Sequence, residues 1–412
     1  MSQPEASLTD RLWALTSDPV RLRRVSIVLA LLFAAILAAD TILAEGRVNM
    51  RGEHLGGDFL AFHTAGEMVL EGSALDAWDA TSFETALQIR EPAIEWYGLT
   101  WQYPPAAYFL VTPFALLPYK LSYWLWMLAG LVVFWCCFRV SFEGNLPGKT
   151  APLLILASPI ILVTLVQGQN TLFFGGLLMI AAALPDRRPL LAGLAAAALT
   201  IKPQLGLLIP VAYLFGGHWK AFGYAATFSL VLSGIATLAF GLESWSAFFD
   251  AITRVENDMA GGGALYPFNR IISLYGALGA LGVPHAIALS IHLLTVLGLA
   301  ALVALVWRSD LPLQAKAALL IPATLLCSPY AYYYEMVPML FSVAVMISMI
   351  GTRNLNAAER WWLMLSWPLV LYLPMIQGAV PVQFGFVITA SLVALVARSV
   401  MSASAAASAP AY

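Results

Sequence analysis

The chain has 412 residues, of which 60% are hydrophobic and only 11% are charged, and its formal net charge is -2. Soluble domains carry about 25% charged residues and about 45–50% apolar ones. The composition therefore excludes a water-soluble globular domain, because there is too little polar surface to face water on all sides. The charge balance also gives no basic field for nucleic acid. The sequence predicts an all-α polytopic membrane protein.

The N-terminal segment, residues 1–24, is polar and contains Arg21, Arg23 and Arg24 just before an apolar run at 25–44. A run of about 20 residues spans the hydrocarbon core of a bilayer and is longer than the apolar region of a signal peptide. Positive charge stays on the cytoplasmic side of a membrane. We therefore expect a first transmembrane helix that follows a cytoplasmic N-terminus.

Apolar stretches recur along the rest of the chain, and several are shorter than the ~20 residues that a perpendicular span needs. They lie at about 104–118, 121–138, 150–166, 171–184, 189–200, 205–216, 221–241, 285–307, 313–327, 336–350, 361–375 and 381–397. The basic clusters between them are expected to be cytoplasmic and the other connections to lie outside. The basic clusters are 186–188, 218–220, 307–309 and 353–360, and the outer connections are 45–103, 167–170, 202–204, 242–284 and 328–335.

Thirteen crossings would place the C-terminus on the wrong side of the membrane. We therefore expect about 12 transmembrane helices, with 104–118 re-entrant. The expected units are a cytoplasmic N-terminal segment at 1–24, a transmembrane domain at 25–397 with long outer loops at 45–103 and 242–284, and a disordered cytoplasmic tail at 398–412.

The first outer loop is too long to be an ordinary linker. Two stretches, 59–71 and 78–90, read as helices. The first mixes apolar and polar residues, which is typical of a helix lying along the membrane surface. We therefore expect surface helices in this loop.

Asp58 is the carboxylate that stands out in the first outer loop. It follows Gly56 and Gly57, which allow the backbone to turn sharply and bring the side chain back to the membrane surface. A partly desolvated carboxylate at that place is a candidate general base. The alternative is a helix N-cap, because Asp is favoured there and a predicted helix follows. One side chain can do both.

Lys202 lies between two short apolar segments, 189–200 and 205–216. Pro203 disfavours helical backbone at the residue before it, so the first segment is expected to end there. An ammonium held at a helix break near the interface is able to neutralise a phosphate. The alternative is an interfacial lysine whose long side chain reaches water.

Further polar and aromatic side chains cluster at the outer corners. Trp101 and Tyr103 are able to stack on a sugar ring, or belong to an interfacial aromatic belt. The amides at 167–170 suit sugar hydroxyls, although a polar turn has the same composition. The candidate substrate-binding residues are Lys202, Gln204, Tyr103, Gln167, Gln169, Asn170, Arg270, Tyr334 and Glu335.

No motif of a soluble enzyme occurs in the sequence: there is no GxGxxG, P-loop or HExxH. Cys136, Cys137 and Cys327 sit inside apolar runs and are predicted to be small core residues. His54 and His63 are too few for a zinc site. We therefore assign no metal ligand and no cofactor.

Several segments taken together resemble glycosyltransferase family 87, the family of the polyprenol-phosphate-mannose-dependent mannosyltransferases. They are Gly57-Asp58-Phe59, Gly72 with the aromatic stretch to Tyr103-Pro104-Pro105, Gln167-Gly168-Gln169-Asn170, Lys202-Pro203-Gln204, and Ser328-Pro329 followed by Tyr334-Glu335. No single segment is specific to this family, but their order along the chain and their predicted location on one outer face are. The resemblance covers about residues 25–397.

The resemblance implies a GT-C fold and an inverting enzyme. Such an enzyme takes a sugar from a polyprenyl-phosphate donor, which is a substrate rather than a cofactor, and passes it to a glycan or lipid acceptor. It also implies a multi-pass protein of the bacterial plasma membrane with an extracytoplasmic active site, and Asp58 as the base. Inversion indeed needs one carboxylate to deprotonate the acceptor. The leaving phosphate needs a cation, for which Lys202 is the first candidate and Arg270 the second.

One departure concerns the sugar. Mannosyltransferases of the family often have histidine near the corner after Ser-Pro, where this chain has Tyr332, Tyr333 and Tyr334 before Glu335. The sugar, which is mannose or another hexose or pentose, therefore stays open, as does the acceptor. A transporter or flippase of a lipid-linked sugar is the main alternative, because broken helices and buried charges suit it too. A non-catalytic membrane subunit is a third.

Overall fold

The computed structural model describes residues 7–92, 98–143, 150–262, 268–350, 355–376 and 383–408. Within these ranges the chain is helical, with isolated β-bridges and no strand, which confirms the all-α prediction. The helices are α1 (Leu8–Thr16), α2 (Pro19–Ile42), α3 (Phe59–Leu70), α4 (Ala80–Arg90), α5 (Tyr108–Ala115), α6 (Tyr119–Ser141), α7 (Thr150–Leu156), α8 (Pro159–Val166), α9 (Thr171–Ala183), α10 (Pro189–Ala198), α11 (Ile209–Gly216), α12 (Trp219–Phe240), α13 (Glu243–Ala260), α14 (Leu274–Ala280), α15 (His285–Arg308), α16 (Leu313–Cys327), α17 (Met339–Ile350), α18 (Ala357–Ile376) and α19 (Phe384–Ser408).

Proline marks where many of these helices begin. Its fixed φ suits the first helical turn, where the missing N–H would have no helical partner. Pro19, Pro159 and Pro189 are the first residues of α2, α8 and α10. At α2 the Asp18 carboxylate also accepts a hydrogen bond from Arg21 N–H at 2.7 Å. The proline positions in the sequence therefore explain several helix boundaries.

Four helices are long and apolar enough to cross a membrane, namely α2, α6, α12 and α15. They have 22 to 24 residues, which corresponds to about 33–36 Å and matches a hydrocarbon core of about 30 Å. Their outer faces carry exposed leucines such as Leu230 and Leu238 on α12, which are 76% and 89% exposed. This composition is that of a membrane-embedded protein. The total of about 12 crossings stays a prediction.

Three of the basic clusters that were predicted to be cytoplasmic meet at one place. The His218 Nδ1 atom lies 2.7 Å from Asp186 Oδ1, and the Lys316 ammonium donates to the Trp307 carbonyl at 3.1 Å. Arg187 forms an ion pair with Glu143 at 2.5 Å. The His218 ring also contacts the Trp307 ring, with their centroids 5.3 Å apart. The connections between α9 and α10, between α11 and α12, and between α15 and α16 therefore lie together.

The first outer loop differs from its prediction in one respect. Helices α3 and α4 are present, as expected for 59–71 and 78–90. However, nine of the 12 residues of α3 are buried, so α3 packs inside the protein and does not have the polar exposed face that the sequence indicated. The cause is close packing by α5: a Cβ at Gly66 would lie 2.7 Å from the Cβ of Ala115.

Two other predicted segments have a clear structural outcome. Within 104–118 the chain is helical only over the turn Pro105–Ala107 and α5, about 16 Å in all, which is too short to cross a bilayer. At the other end of the chain, α19 continues to Ser408, past residue 398 where the disordered tail was expected to begin. Residues 409–412 lie outside the described ranges.

Ion pairs around Glu67 tie the first outer loop together. Glu67 contacts Arg47 at 2.8 Å, Arg90 at 2.6 Å and His63 at 3.3 Å. Burial acts to raise the pKa of Glu67, but the interactions with His63 and Arg47 outweigh it and lower the pKa to about 2. These ion pairs connect α3, through Glu67, to α4 and to the segment that follows α2.

We expect Glu67→Gln to lower the free energy of unfolding by about 3 kcal/mol at neutral pH, because each pKa unit corresponds to about 1.4 kcal/mol. The pKa of Glu67 lies below its ordinary value of 4.5. Its contribution is therefore complete above about pH 4.5 and is lost as the pH falls through about 2. Thermal unfolding in detergent across this pH range should show that the difference in unfolding free energy between wild type and variant decreases as the pH falls.

Glu71→Gln is the matched control. Glu71 also pairs with Arg90, at 2.6 Å, but its side chain is 59% exposed, so its loss should cost less than about 1 kcal/mol. Equal destabilisation by the two variants would contradict the central role of Glu67.

Candidate active site

Two glycine-containing turns meet at the centre of the site. Gly56, Gly57 and Gly168 have φ angles of 74°, 48° and 55°, in the left-handed region that favours glycine. The Asp58 N–H donates to the Gln167 carbonyl at 3.0 Å. A Cβ at Gly168 would collide with the carbonyl oxygen of Gly56. The turns are therefore in direct backbone contact, and Asp58 lies at that contact.

Helix α6 supports the second of these turns. The Trp126 indole N–H donates to the Gly168 carbonyl at 2.9 Å, and the Tyr123 hydroxyl donates to the Leu165 carbonyl at 2.8 Å. Both aromatic side chains are almost fully buried. The corner between α8 and α9 is thus held by a helix that packs along its side.

The Asp58 carboxylate faces this corner and not the helix that it precedes. No hydrogen bond joins it to the first N–H groups of α3, so the N-cap alternative is wrong for its side chain. Instead it accepts hydrogen bonds from Gln169 Nε2 and from the Tyr334 hydroxyl. Burial raises the pKa of Asp58, although both hydrogen bonds act to lower it. A raised pKa suits a proton acceptor near neutral pH.

Lys202 lies at a break in the helix, as Pro203 predicted. Its backbone is non-helical, with φ -131° and ψ 70°, between the short helical turns Leu199–Ile201 and Pro203–Leu205. The side chain is only 2% exposed and forms an ion pair with Glu335. The alternative of a lysine that reaches water is therefore wrong.

Polar neighbours complete this buried pair. The Lys202 ammonium donates to Asn170 Oδ1 at 2.7 Å and lies 3.4 Å from the Thr171 hydroxyl oxygen. Thr171 in turn donates to the second oxygen of Glu335 at 2.9 Å. Both charges are thus neutralised and hydrogen-bonded inside the protein, which a buried ion pair requires. Asn170 is also hydrogen-bonded to Tyr103.

A short backbone pairing brings Arg270 to the same place. Ile271 bridges to Tyr332, and the Ile272 N–H donates to the Ala331 carbonyl at 2.8 Å. Arg270 is exposed, and among the described residues it has no ion-pair partner. Its positive charge acts to lower the pKa of Asp58. Arg270 is therefore a cation near the carboxylate with its charge still available.

These segments enclose a cavity of about 640 Å³, which is within the range of small-molecule sites. Nine of the ten predicted site residues line it, namely Asp58, Tyr103, Gln167, Gln169, Lys202, Gln204, Arg270, Tyr334 and Glu335. Asn170 is not among the lining residues. It is 3% exposed and acts on the site through Lys202.

Two parts of the site were not predicted from the sequence. Helix α13 gives the cavity an apolar wall of Phe248, Ile252, Val255 and Met259. This spacing repeats every third or fourth residue, so a helical apolar stripe was readable from the sequence. Thr171, which contacts both members of the buried ion pair, carries no signal in the sequence.

Within the described ranges, no three His, Cys, Asp or Glu side chains are placed to hold a metal ion together. Cys327 is buried, Cys137 is partly buried and Cys136 is exposed, and none forms a disulfide. Two further carboxylates line the cavity and both are paired: Glu335 with Lys202 and Thr171, and Glu53 with Arg51. Asp58 and Arg270 are therefore the carboxylate and the cation of the cavity that have no ion-pair partner among the described residues.

The model of glycosyltransferase family 87 matches residues 101–329, more than half of the chain. The chain belongs to glycosyltransferase family 87. It is therefore a glycosyltransferase embedded in a membrane. No curated protein and no solved structure matches it. The matched range contains the 167–170 corner, Lys202 and Arg270 but not Asp58 or Tyr334, whose place in the site rests on their contacts.

We expect Gly168→Ala to lower the free energy of unfolding by about 3 kcal/mol, because it combines a left-handed backbone with a backbone collision. Gly217→Ala is the matched control: its φ is 73°, but no atom lies within 4 Å of the added Cβ, so it should cost only about 1 kcal/mol. Thermal unfolding of both variants measures the difference. Similar losses of unfolding free energy in the two variants would mean that the turns containing Gly56 and Gly168 do not pack as described.

Proposed function

We propose that this glycosyltransferase moves a sugar, with inversion, from a polyprenyl-phosphate donor to a hydroxyl of a glycan or lipid acceptor at the extracytoplasmic surface. The observation that carries the proposal is that the Asp58 carboxylate lines the same cavity as Arg270, a cation with no ion-pair partner among the described residues. Burial also raises the pKa of Asp58. Family membership supports sugar transfer. It favours an enzyme over the transporter or flippase that the helix breaks also suggested.

The proposed step uses Asp58 as the general base. Its carboxylate takes the proton of the acceptor hydroxyl while the hydroxyl oxygen bonds to the anomeric carbon of the donor sugar. The bond from that carbon to the phosphate oxygen breaks on the opposite face, and the polyprenyl phosphate leaves with the electron pair. The anomeric configuration is therefore inverted, and the proton ends on Asp58.

The leaving phosphate gains negative charge, which a fixed cation stabilises. Lys202 is the weaker candidate for this role, because Glu335 already neutralises it and both are buried. Removing a charge from such a pair leaves its partner unpaired, which is costly. We therefore assign the phosphate to Arg270 and the pair to holding the corner at 328–335 in place.

The cavity lining supports a lipid-linked donor. The apolar stripe of α13 suits an isoprenoid chain, whereas Tyr103, Gln167 and Gln204 offer the aromatic and amide groups that suit sugar hydroxyls. The basic clusters at the other connections favour an orientation with this cavity outside. Mannose, another hexose or a pentose all remain candidates for the transferred sugar.

We expect Asp58→Asn to reduce transfer by about 10²–10⁴-fold, the usual loss when a general base is removed. Purified protein in nanodiscs would be given polyprenyl-phosphate sugars labelled in the sugar, together with membrane glycolipid as acceptor. Asp79→Asn is the matched control, because Asp79 is an outer-loop carboxylate that caps α4 by accepting from Ser82 N–H at 2.8 Å. Since Asn caps about as well as Asp, transfer by this variant should be normal.

Transfer by Asp58→Asn at close to the wild-type rate would remove Asp58 from the base role. Movement of labelled donor across the membrane by wild type, with no sugar released from the lipid, would instead favour the transporter.

We expect Arg270→Gln to weaken binding of a polyprenyl phosphate by about 10- to 100-fold, the effect of losing a hydrogen bond to a charged group. The double variant Lys202→Met, Glu335→Gln should change affinity much less, because it removes both charges of the pair together. Tryptophan fluorescence titrations in mixed micelles would measure the affinities.

Arg51→Gln is the control, because it also removes an arginine that lines the cavity. Arg51 is paired with Glu53 at 2.8 Å, so this variant should bind polyprenyl phosphate about as well as wild type. The assignment is wrong if the double variant loses affinity while Arg270→Gln keeps it, and in that case Lys202 holds the phosphate.

A further inference from the structure

Gln169 is placed against the proposed base in an unusual way. Its side chain is almost completely buried, at 4% exposure, and it lines the cavity. Its amide nitrogen donates to the Asp58 carboxylate. Its amide oxygen is buried and has no hydrogen-bond partner among the described residues. A buried polar atom without a partner is costly, so the orientation of this amide needs a cause.

Asp58 supplies that cause. Turning the amide over would place its oxygen against the carboxylate, where two acceptors repel. The backbone leaves the side chain little freedom, because Gln169 N–H donates to the Thr164 carbonyl at 3.1 Å and Gly168 is locked against Gly56. The backbone position of Gln169 is therefore fixed, and its side-chain amide has one favourable orientation.

A carboxylate has about four lone-pair positions. Gln169 and Tyr334 occupy two of them and come from separate corners of the protein. No third hydrogen bond to this carboxylate occurs among the described residues, so the remaining positions can accept a hydrogen from an acceptor hydroxyl. Two donors on one carboxylate fix its rotation, which is what a base needs in order to meet a bound substrate in one geometry.

We propose that Gln169 is a positioning residue for the base: its amide nitrogen holds the Asp58 carboxylate in the orientation that receives the acceptor proton. This inference rests on the proposed function. It assigns to Gln169 a role toward Asp58 in addition to contact with sugar. Because the amide donates to the ionised form of Asp58, it also keeps that form available in a site where burial opposes charge.

Modification by dicyclohexylcarbodiimide tests the proposal without donor or acceptor. The reagent reacts with a carboxyl group in its protonated form, so the extent of labelling at Asp58 against pH gives the titration midpoint of that group. The full chain in detergent would be labelled across a pH series, digested and analysed by mass spectrometry. Asp58→Asn identifies the labelled peptide.

We expect the midpoint for Asp58 to move upward by about one pH unit in Gln169→Leu, because one donor to the charged form is lost. Tyr334→Phe removes the other donor and should give a similar upward shift. Gln167→Leu is the matched control, since it makes the same replacement two residues away and no hydrogen bond joins the Gln167 side chain to Asp58. Its midpoint should equal that of wild type.

An unchanged midpoint in Gln169→Leu, with Asp58 labelled, would overturn the proposal. Failure of Asp58 to react at any pH would overturn it as well, because a carboxyl that lines an open cavity with a raised pKa must react once protonated. If sugar transfer is absent but the midpoint shifts, the contact stands and the proposed function fails. Where transfer is present, the acidic limb of its pH profile should move upward with the same variants.

Discussion

The backbone contact between the turn at 56–58 and the turn at 167–169 is the constraint on which the site depends. It needs glycine on both sides, because a side chain at Gly168 would displace the Gly56 carbonyl. The contact joins the first outer loop to the corner between α8 and α9. It also brings the Asp58 carboxylate within reach of Gln169. Residues far apart in sequence are thus brought into direct contact, and this contact determines where the Asp58 carboxylate lies.

The buried pair of Lys202 and Glu335 performs a different task. Both side chains are nearly inaccessible to water, and Thr171 contacts both of them. Such a pair contributes little net stability, since removing the charges from water offsets their attraction. The pair does fix how the two segments lie against each other, because leaving either charge buried without its partner would be costly. In this chain the pair joins the helix break at 202 to the corner at 328–335, so Tyr334 is presented to Asp58 at a set distance.

Much of the site could be predicted from the sequence, because ionisable and amide residues at the outer corners of apolar segments are rare and informative. The pairing among them could not. Lys202 and Glu335 were both expected to bind substrate, since nothing local reveals that one neutralises the other. The burial of α3 was missed because its polar residue Glu67 reads as solvent-facing, whereas arginine side chains satisfy it inside the protein. Long-range contacts decided each of these cases.

The proposed step moves negative charge through the cavity. Before transfer, Asp58 carries one negative charge and the donor phosphodiester carries another. Afterwards Asp58 is protonated and neutral, and the free phosphate has gained the charge that Asp58 gave up. The net charge of the cavity is unchanged, and negative charge has only moved from the base to the leaving group. Arg270 acts electrostatically on Asp58 and is exposed to the cavity. If Arg270 holds the phosphate as proposed, it stabilises both the start and the end of that movement, while a lysine committed to Glu335 would have to break its own pair to do so.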